Sequence, residues 1–373
     1  MAATERPALG PALLAAALAL PGLSPVAQAE SAPVQGHVGL RMLDYQDSQP
    51  GAERVRVKAP ALTAFVPLGS EWSLAGSWIT DSISGASPLY HSKSLTRLHD
   101  VRHASDLTLT RYLPQGTWKV GAAYSNESDF LSRSVHAGFT RSNESKNTVW
   151  SLQTALTHDR INPVNQLVEN ETRETVDVLA GVTQVLTERD IVQLQWGWSQ
   201  SQGYLSDPYK LLDERPRQRQ RQTLQTRWNH HIEDWNATLR GAYRLFRDDW
   251  GIRAHTFELE HVQPLAGAYK ISPSLRYYTQ SAAHFYVDAD GSRGPFAPSP
   301  PAGALYHSLD QRLSAFGAFT VGLKLSYTLD ERTVFDVKFE HYEQRSAWAW
   351  GGGSPNLLPL RARSVFWGVS HWF

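Results

Sequence analysis

The sequence predicts an all-β fold, a closed antiparallel transmembrane β-barrel of about sixteen strands, with fourteen and eighteen as the neighbouring even counts. Three observations carry this expectation: apolar residues recur with period two, short and long connections alternate, and aromatic residues return at matching depths.

The period is clearest from 313 to 329. Leu313, Ala315, Gly317, Phe319, Val321, Leu323, Leu325, Tyr327 and Leu329 fall on one face, while Arg312, Ser314, Thr320, Lys324, Ser326 and Thr328 fall on the other. Val192, Leu194, Trp196 and Trp198 alternate with Gln193, Gln195, Gly197 and Ser199. A third run sets Trp235, Ala237, Leu239, Gly241 and Tyr243 against Asn236, Thr238, Arg240 and Arg244. Successive strand residues point to opposite faces, so such segments suit a wall between lipid and a polar interior.

Short turns are expected at 67–69, 114–116, 142–147, 187–190, 231–234, 264–267 and 330–332. Between them lie mostly longer polar segments, at 80–100, 160–172, 203–220, 283–309 and 346–360. Short periplasmic turns and longer extracellular loops are the outer-membrane pattern, and an even strand count puts both termini at the short-turn end. Trp72 and Trp78, Trp118 and Tyr124, Trp235 and Tyr243, and Tyr269 and Tyr277 are six or eight residues apart. Eight residues of a tilted strand climb about 20 Å, enough to place one ring in each aromatic girdle. A soluble sandwich, the alternative β fold, has no need of large rings at both ends of one apolar face.

Composition agrees. The chain has 373 residues, 36 Lys+Arg against 36 Asp+Glu, 13 Trp, 14 Tyr and 13 Phe, and a mean hydropathy of −0.39. Many aromatics in a polar chain suit a barrel with one wet face. Balanced charge argues against a nucleic-acid partner. The lack of cysteine removes disulfides, thiolate metal sites and cysteine nucleophiles.

Both ends read as export signals. Arg6, the apolar run 12–20 and the small-x-small pattern Ala27-Gln28-Ala29 predict a secretory leader over 1–29 and a barrel over 30–373. At the other end Val365, Trp367 and Val369 alternate with polar or small neighbours before Phe373. This resembles the signal read by the barrel-assembly machinery, with His371 standing where that pattern prefers an apolar residue. The expected location is the outer membrane, among its lipid and lipopolysaccharide.

The segment DSISGASPLY at 81–90, with HDVR at 99–102, TRY at 110–112 and DRINPV at 159–164, resembles an uncharacterised outer-membrane β-barrel family, domain of unknown function 3570. The resemblance implies a barrel and no activity. Its members are often encoded beside a thioredoxin-like protein, a small lipoprotein and a flavin transferase. A periplasmic redox partner is therefore an association-level implication.

Charges on the polar faces are candidates for a solute-selecting lumen. A tight turn at 264–267 sets Glu260 against Lys270, one near 249 sets Arg240 against Glu258, and Lys324 falls near Asp336 or Lys338. The plainer reading is a neutralising ladder of cross-strand pairs. His99, His103 and His158 are the residues to consider for a metal, but i,i+4 spacing only places strand residues on one face. His158-Asp159 with the serines of 82–87 supply the residue types of a hydrolase, without a G-x-S-x-G elbow. The basic run RPRQRQRQ at 215–222 is either an anionic-lipid contact or a solvated strand start. No catalytic residue, cofactor or resident metal is expected. The sequence predicts a porin-like channel or envelope scaffold, with a partner-binding barrel as the alternative and a loop-based enzyme third. Loops 80–100 and 283–309 are the segments expected to narrow the lumen.

Overall fold

Alternating faces need neighbours on both edges, and a sheet in lipid can leave no edge open. The chain meets this demand by closing on itself. The computed structural model describes residues 31–85, 98–210, 212–288, 290 and 300–373; the leader expected over 1–29 and most of the 80–100 loop lie outside them. Sixteen antiparallel strands follow one another around the wall. They are β1 (His37–Gln49), β2 (Ala52–Leu68), β3 (Trp72–Gly85), β4 (Leu98–Leu113), β5 (Gly116–Asn126), β6 (Phe130–Ser142), β7 (Thr148–Ile161) and β8 (Glu171–Val185). The second half holds β9 (Asp190–Gly203), β10 (Gln218–Ile232), β11 (Ala237–Asp248), β12 (Arg253–Pro264), β13 (Tyr269–Gln280), β14 (Phe316–Asp330), β15 (Thr333–Arg345) and β16 (Leu360–Trp372).

β1 pairs with β16 from His37↔Trp372 to Ser48↔Arg361, which closes the ring. Gly36 and Phe373 exchange both backbone hydrogen bonds, each at 3.0 Å, just below that seam. A ring of sixteen strands spaced about 4.8 Å apart and tilted near 40° has a backbone diameter of about 30 Å.

At one end the connections are short, at 69–71, 114–115, 143–147, 186–189, 233–236, 265–268 and 331–332. At the other they include 162–170, 204–217, 281–315 and 346–359. Trp72, Trp118, Trp150 and Tyr269 form an exposed ring near the short-turn end. Toward the other end Tyr243, Phe257, Tyr277 and Phe319 lie side by side, with successive ring centroids 4.9, 6.5 and 4.8 Å apart. Leu107, Val135, Leu152 and Val321 are exposed between these bands, as a lipid-facing wall requires. Among the described residues no helix is long and apolar enough to cross a membrane.

Two expected strands start later than their alternation suggests. Leu313 and Ala315 belong to a segment folded into the mouth, with a 3₁₀ turn at Gln311–Leu313, and β14 begins at Phe316. Trp235 ends the 3₁₀ turn Glu233–Trp235, where Asn236 takes φ 46°. The buried segment at 311–315 and the exposed turn at 233–235 both continue the alternation of the strand that follows, so period two overshot the strand starts. The principal apolar cluster within the long-loop end consists of Leu205, Trp250, Ile252, Ala283 and Leu313, with Phe246, Phe285 and Tyr286 against it.

Candidate functional site: the charged lumen and its roof

Residues opposite each other on a ladder share a face, so the register assigns each charge to lipid or lumen. The lumen-facing positions of β11–β13 carry the predicted charges, but with other partners. Arg240 lies opposite Glu260 and pairs with it at 3.0 Å. Glu258 is opposite Ala242 and instead pairs with Arg276 on β13 at 2.8 Å. Glu260 faces Ser274 rather than Lys270, which lies opposite Pro264. The physical reason is turn length. Each hairpin is centred later than a tight turn would place it, with Gly267 at φ 76° in the second. Moving a turn's centre by a whole residue changes the partner by two and keeps the face.

Lys324 lies opposite Lys338, yet its amine reaches Asp336 at 3.1 Å, with Ser326 also donating to that carboxylate at 2.6 Å. Lys338 turns to Glu340 at 2.7 Å along its own strand. The ladder reading therefore describes most of these groups. Arg219 likewise takes Asp248 at 2.7 Å. Among the described residues of β10–β13, the ladder leaves over Arg227 on β10, Arg244 on β11 and Lys270 on β13. Arg227 and Arg244 sit one register step apart, Arg227 opposite Ala242 and Arg244 opposite Gln225, with no ion pair or hydrogen bond to any described residue. Arg276 and Glu258 keep 46% and 43% of their side-chain exposure although they point inward, so this level of the lumen is open to water.

Above this level two loops fold over the mouth and meet on buried charges. Asp310 is fully enclosed and receives Arg215 at 2.9 Å, Lys210 at 3.2 Å and Arg312. Arg312 also reaches Asp207 at 3.0 Å, Arg215 pairs with Asp213 at 2.8 Å, and Ser308 donates to Asp213. A backbone bridge between Glu214 and His307 stitches the loops together. Gln49 at the top of β1 donates to Gln311 at 3.0 Å, which ties the roof to the wall. Buried charges persist only when paired, and here they are. Burial alone pushes the Asp310 carboxyl up, but Arg312, Lys210 and Arg215 outweigh it and hold that group well below the ordinary range. Burial lowers the Lys210 amine, with Asp310 pulling it back, and raises the Asp213 carboxyl against the pull of Arg215.

A third group stands on the rim. Asp100 near the start of β4, with Glu127 and Asp129 between β5 and β6, each bring one carboxylate oxygen within 4.8 Å of the others. Tyr209, from the roof loop 204–217, donates to Asp129 at 2.7 Å and accepts from the Val164 amide at 2.9 Å. Burial and then the Asp129 charge push the Glu127 carboxyl up to about 8.

The histidines considered for a metal are not gathered. His103 stacks on Trp78 at 6.2 Å on the outer wall, where its Nδ1 is 3.0 Å from Thr80 Oγ1. His158 stands on the outward face of β7, 3.7 Å from Glu174, and Asp159 faces inward to Arg173 at 2.7 Å. The two residues of the hydrolase candidate thus point to opposite sides of the wall, and the side chain of His99 is outside the described residues. The basic run divides as well. Arg215 is in the roof, Arg219 pairs with Asp248 on the lumen face, and Arg221 bonds Ser199 and Ser201. Trp367 and Val369 lie on the outer face of β16, with Phe373 just past its end. Sequence reasoning missed the roof charges and the rim carboxylates, because only loop folding brings them together.

A family model described as a protein of unknown function, DUF3570, matches residues 90–360. A search of curated proteins finds no match. Among solved structures, one titled a bacterial polysaccharide outer membrane secretin aligns with TM-score 0.50 at 8% identity, over 90% of this chain and 98% of that one. OccK11 (OpdR) of Pseudomonas aeruginosa aligns with TM-score 0.45 at 9% identity, over 91% and 96%. The siderophore receptor PirA of Pseudomonas aeruginosa aligns with TM-score 0.46 at 9% identity, over 92% and 81%. At 8% identity the secretin likeness is one of fold, an outer-membrane β-barrel.

Proposed function

The chain belongs to the DUF3570 family of proteins of unknown function, and from that premise we propose that it is a porin-like channel for small anions in the outer membrane, narrowed at its mouth by the two roof loops. Conduction needs a wetted path and a wall that replaces part of the ion's hydration. The half-exposed Arg276 and Glu258 supply evidence of the first. The observation that carries the reading is the pair Arg227 and Arg244, two guanidiniums one step apart on the lumen wall and uncompensated by any carboxylate among the described residues. Their neighbours Arg219, Arg240 and Arg276 are each neutralised by an acid, so the surplus charge on this wall is positive.

Purified barrel in a planar bilayer under a KCl gradient tests this. The expected result is stepwise conductance with a reversal potential that favours chloride. Arg227→Glu combined with Arg244→Glu is expected to move that preference toward potassium. Silence, or cation preference in the unaltered protein, overturns the reading. Silence together with retention of a periplasmic lipoprotein or thioredoxin-like protein on pulldown moves the assignment to a partner-binding barrel.

A further inference from the structure

Three carboxylates on one rim repel each other unless something positive stands between them. Asp100 and Asp129 are each only 6% exposed, so water does not screen them. Asp100 Oδ1 accepts from the Val101 amide at 2.9 Å and Asp129 Oδ2 accepts from Tyr209. The other oxygen of each, Asp100 Oδ2 and Asp129 Oδ1, is enclosed and has no hydrogen-bond partner among the described residues. Buried polar atoms are ordinarily satisfied, and an exception calls for a ligand or an ion. The nearby Arg102 offsets part of the Glu127 charge, but its guanidinium bonds Asp81 at 2.8 Å and reaches neither orphaned oxygen.

We propose that Asp100, Glu127 and Asp129 form a divalent-cation site on the channel rim, selective for calcium, and that the bound ion fastens the roof loop through Tyr209. The donor set favours calcium over magnesium. Three carboxylates gathered at one point ask an ion to shed water on their side, which calcium does readily and magnesium reluctantly. The three ligand oxygens lie within 4.8 Å of one another, close enough to share one ion. All are hard carboxylate donors, the chemistry of calcium rather than of a soft transition metal. The link to the roof is short. Asp129 receives the Tyr209 hydroxyl, its backbone carbonyl accepts from the Asn162 amide at 2.8 Å, and Tyr209 also holds the Val164 amide. Ion binding thus immobilises three connections at once: 127–129, 162–170 and 204–217. The site stands apart from Arg227 and Arg244, so it holds or fails independently of the anion-channel reading.

The test uses the full-length barrel, folded in detergent and stripped with EDTA, with CaCl₂ as probe in isothermal titration and TbCl₃ as a luminescent stand-in. One saturable calcium site is expected in the range of about 0.1–1 mM, as for other extracellular calcium modules. Magnesium should bind at least about tenfold more weakly. Asp100→Asn with Asp129→Asn should weaken calcium binding by at least about tenfold, while the heat-modifiable gel shift shows the barrel still folded. Tyr209→Leu should remove most of the terbium emission sensitised by that ring and leave calcium binding within about threefold. Calcium should also slow proteolysis of loop 204–217 in the unaltered protein and not in the double variant. No saturable site up to 10-fold above that range, or equal binding by the double variant, overturns the proposal. Saturable binding that leaves proteolysis of the loop unchanged overturns the fastening role.

Discussion

Arg215 and Asp310 meet at 2.9 Å across 95 residues of sequence, and both side chains are sealed from solvent. This contact joins the two roof loops, 204–217 and 281–315.

Asp310→Asn should open the roof. It leaves Lys210 buried without the carboxylate it pairs with and Arg215 with Asp213 alone, a loss of about 3–5 kcal/mol concentrated in the loops rather than in the strands. Single-channel conductance should rise and loop 204–217 should become sensitive to protease, while the gel shift on boiling is unchanged. A variant with unaltered conductance would show that the roof does not limit flow.

The pH response follows from the same residue. Asp310 is held below the ordinary carboxylate range, so its stabilising contribution is complete above its ordinary value of 3.8 and is lost as pH falls through the depressed one. Asp213 has the opposite sign: burial raises it, it takes up a proton first, and that uptake relieves a burial cost. Conductance should therefore stay level from pH 8 down to about 5 and rise only in stronger acid, below the ordinary carboxylate range. A step near pH 6 in recordings on the unaltered protein would refute this.

The register of β11 and β12 is open to direct chemistry, because the chain contains no cysteine. Arg240→Cys with Glu260→Cys should oxidise to a disulfide, since residues directly opposite have Cα atoms about 4.5–5.5 Å apart. Arg240→Cys with Glu258→Cys should not, since that diagonal pair is about 8 Å apart. Non-reducing gels of the two variants distinguish the registers, and a bridge in the second alone would restore the tight-turn pairing.

Export should remove residues 1–29. Intact mass of the protein from outer membranes is expected to correspond to a chain that begins at Glu30. Retention of the apolar run 12–20 in that material would count against a cleaved leader.

The sequence by itself determined the barrel, a strand number of about sixteen and, within the strands, the face on which their residues lie. Those features rest on period two and on the need of every backbone group in lipid for a neighbour, and both are local enough to read along one chain. Tertiary structure decided who meets whom. Two-residue differences in pairing moved Arg240 from Glu258 to Glu260 because turn geometry, not face, sets the partner. Leu313 reads as strand in the sequence and lies in the roof because a buried loop alternates as a strand does. Arg215 and Asp310, or Asp100 and Asp129, come together only once the wall has closed and its loops have turned inward. No periodicity encodes such meetings, since they are set by contacts between distant segments whose charges must find counter-charges when water is excluded.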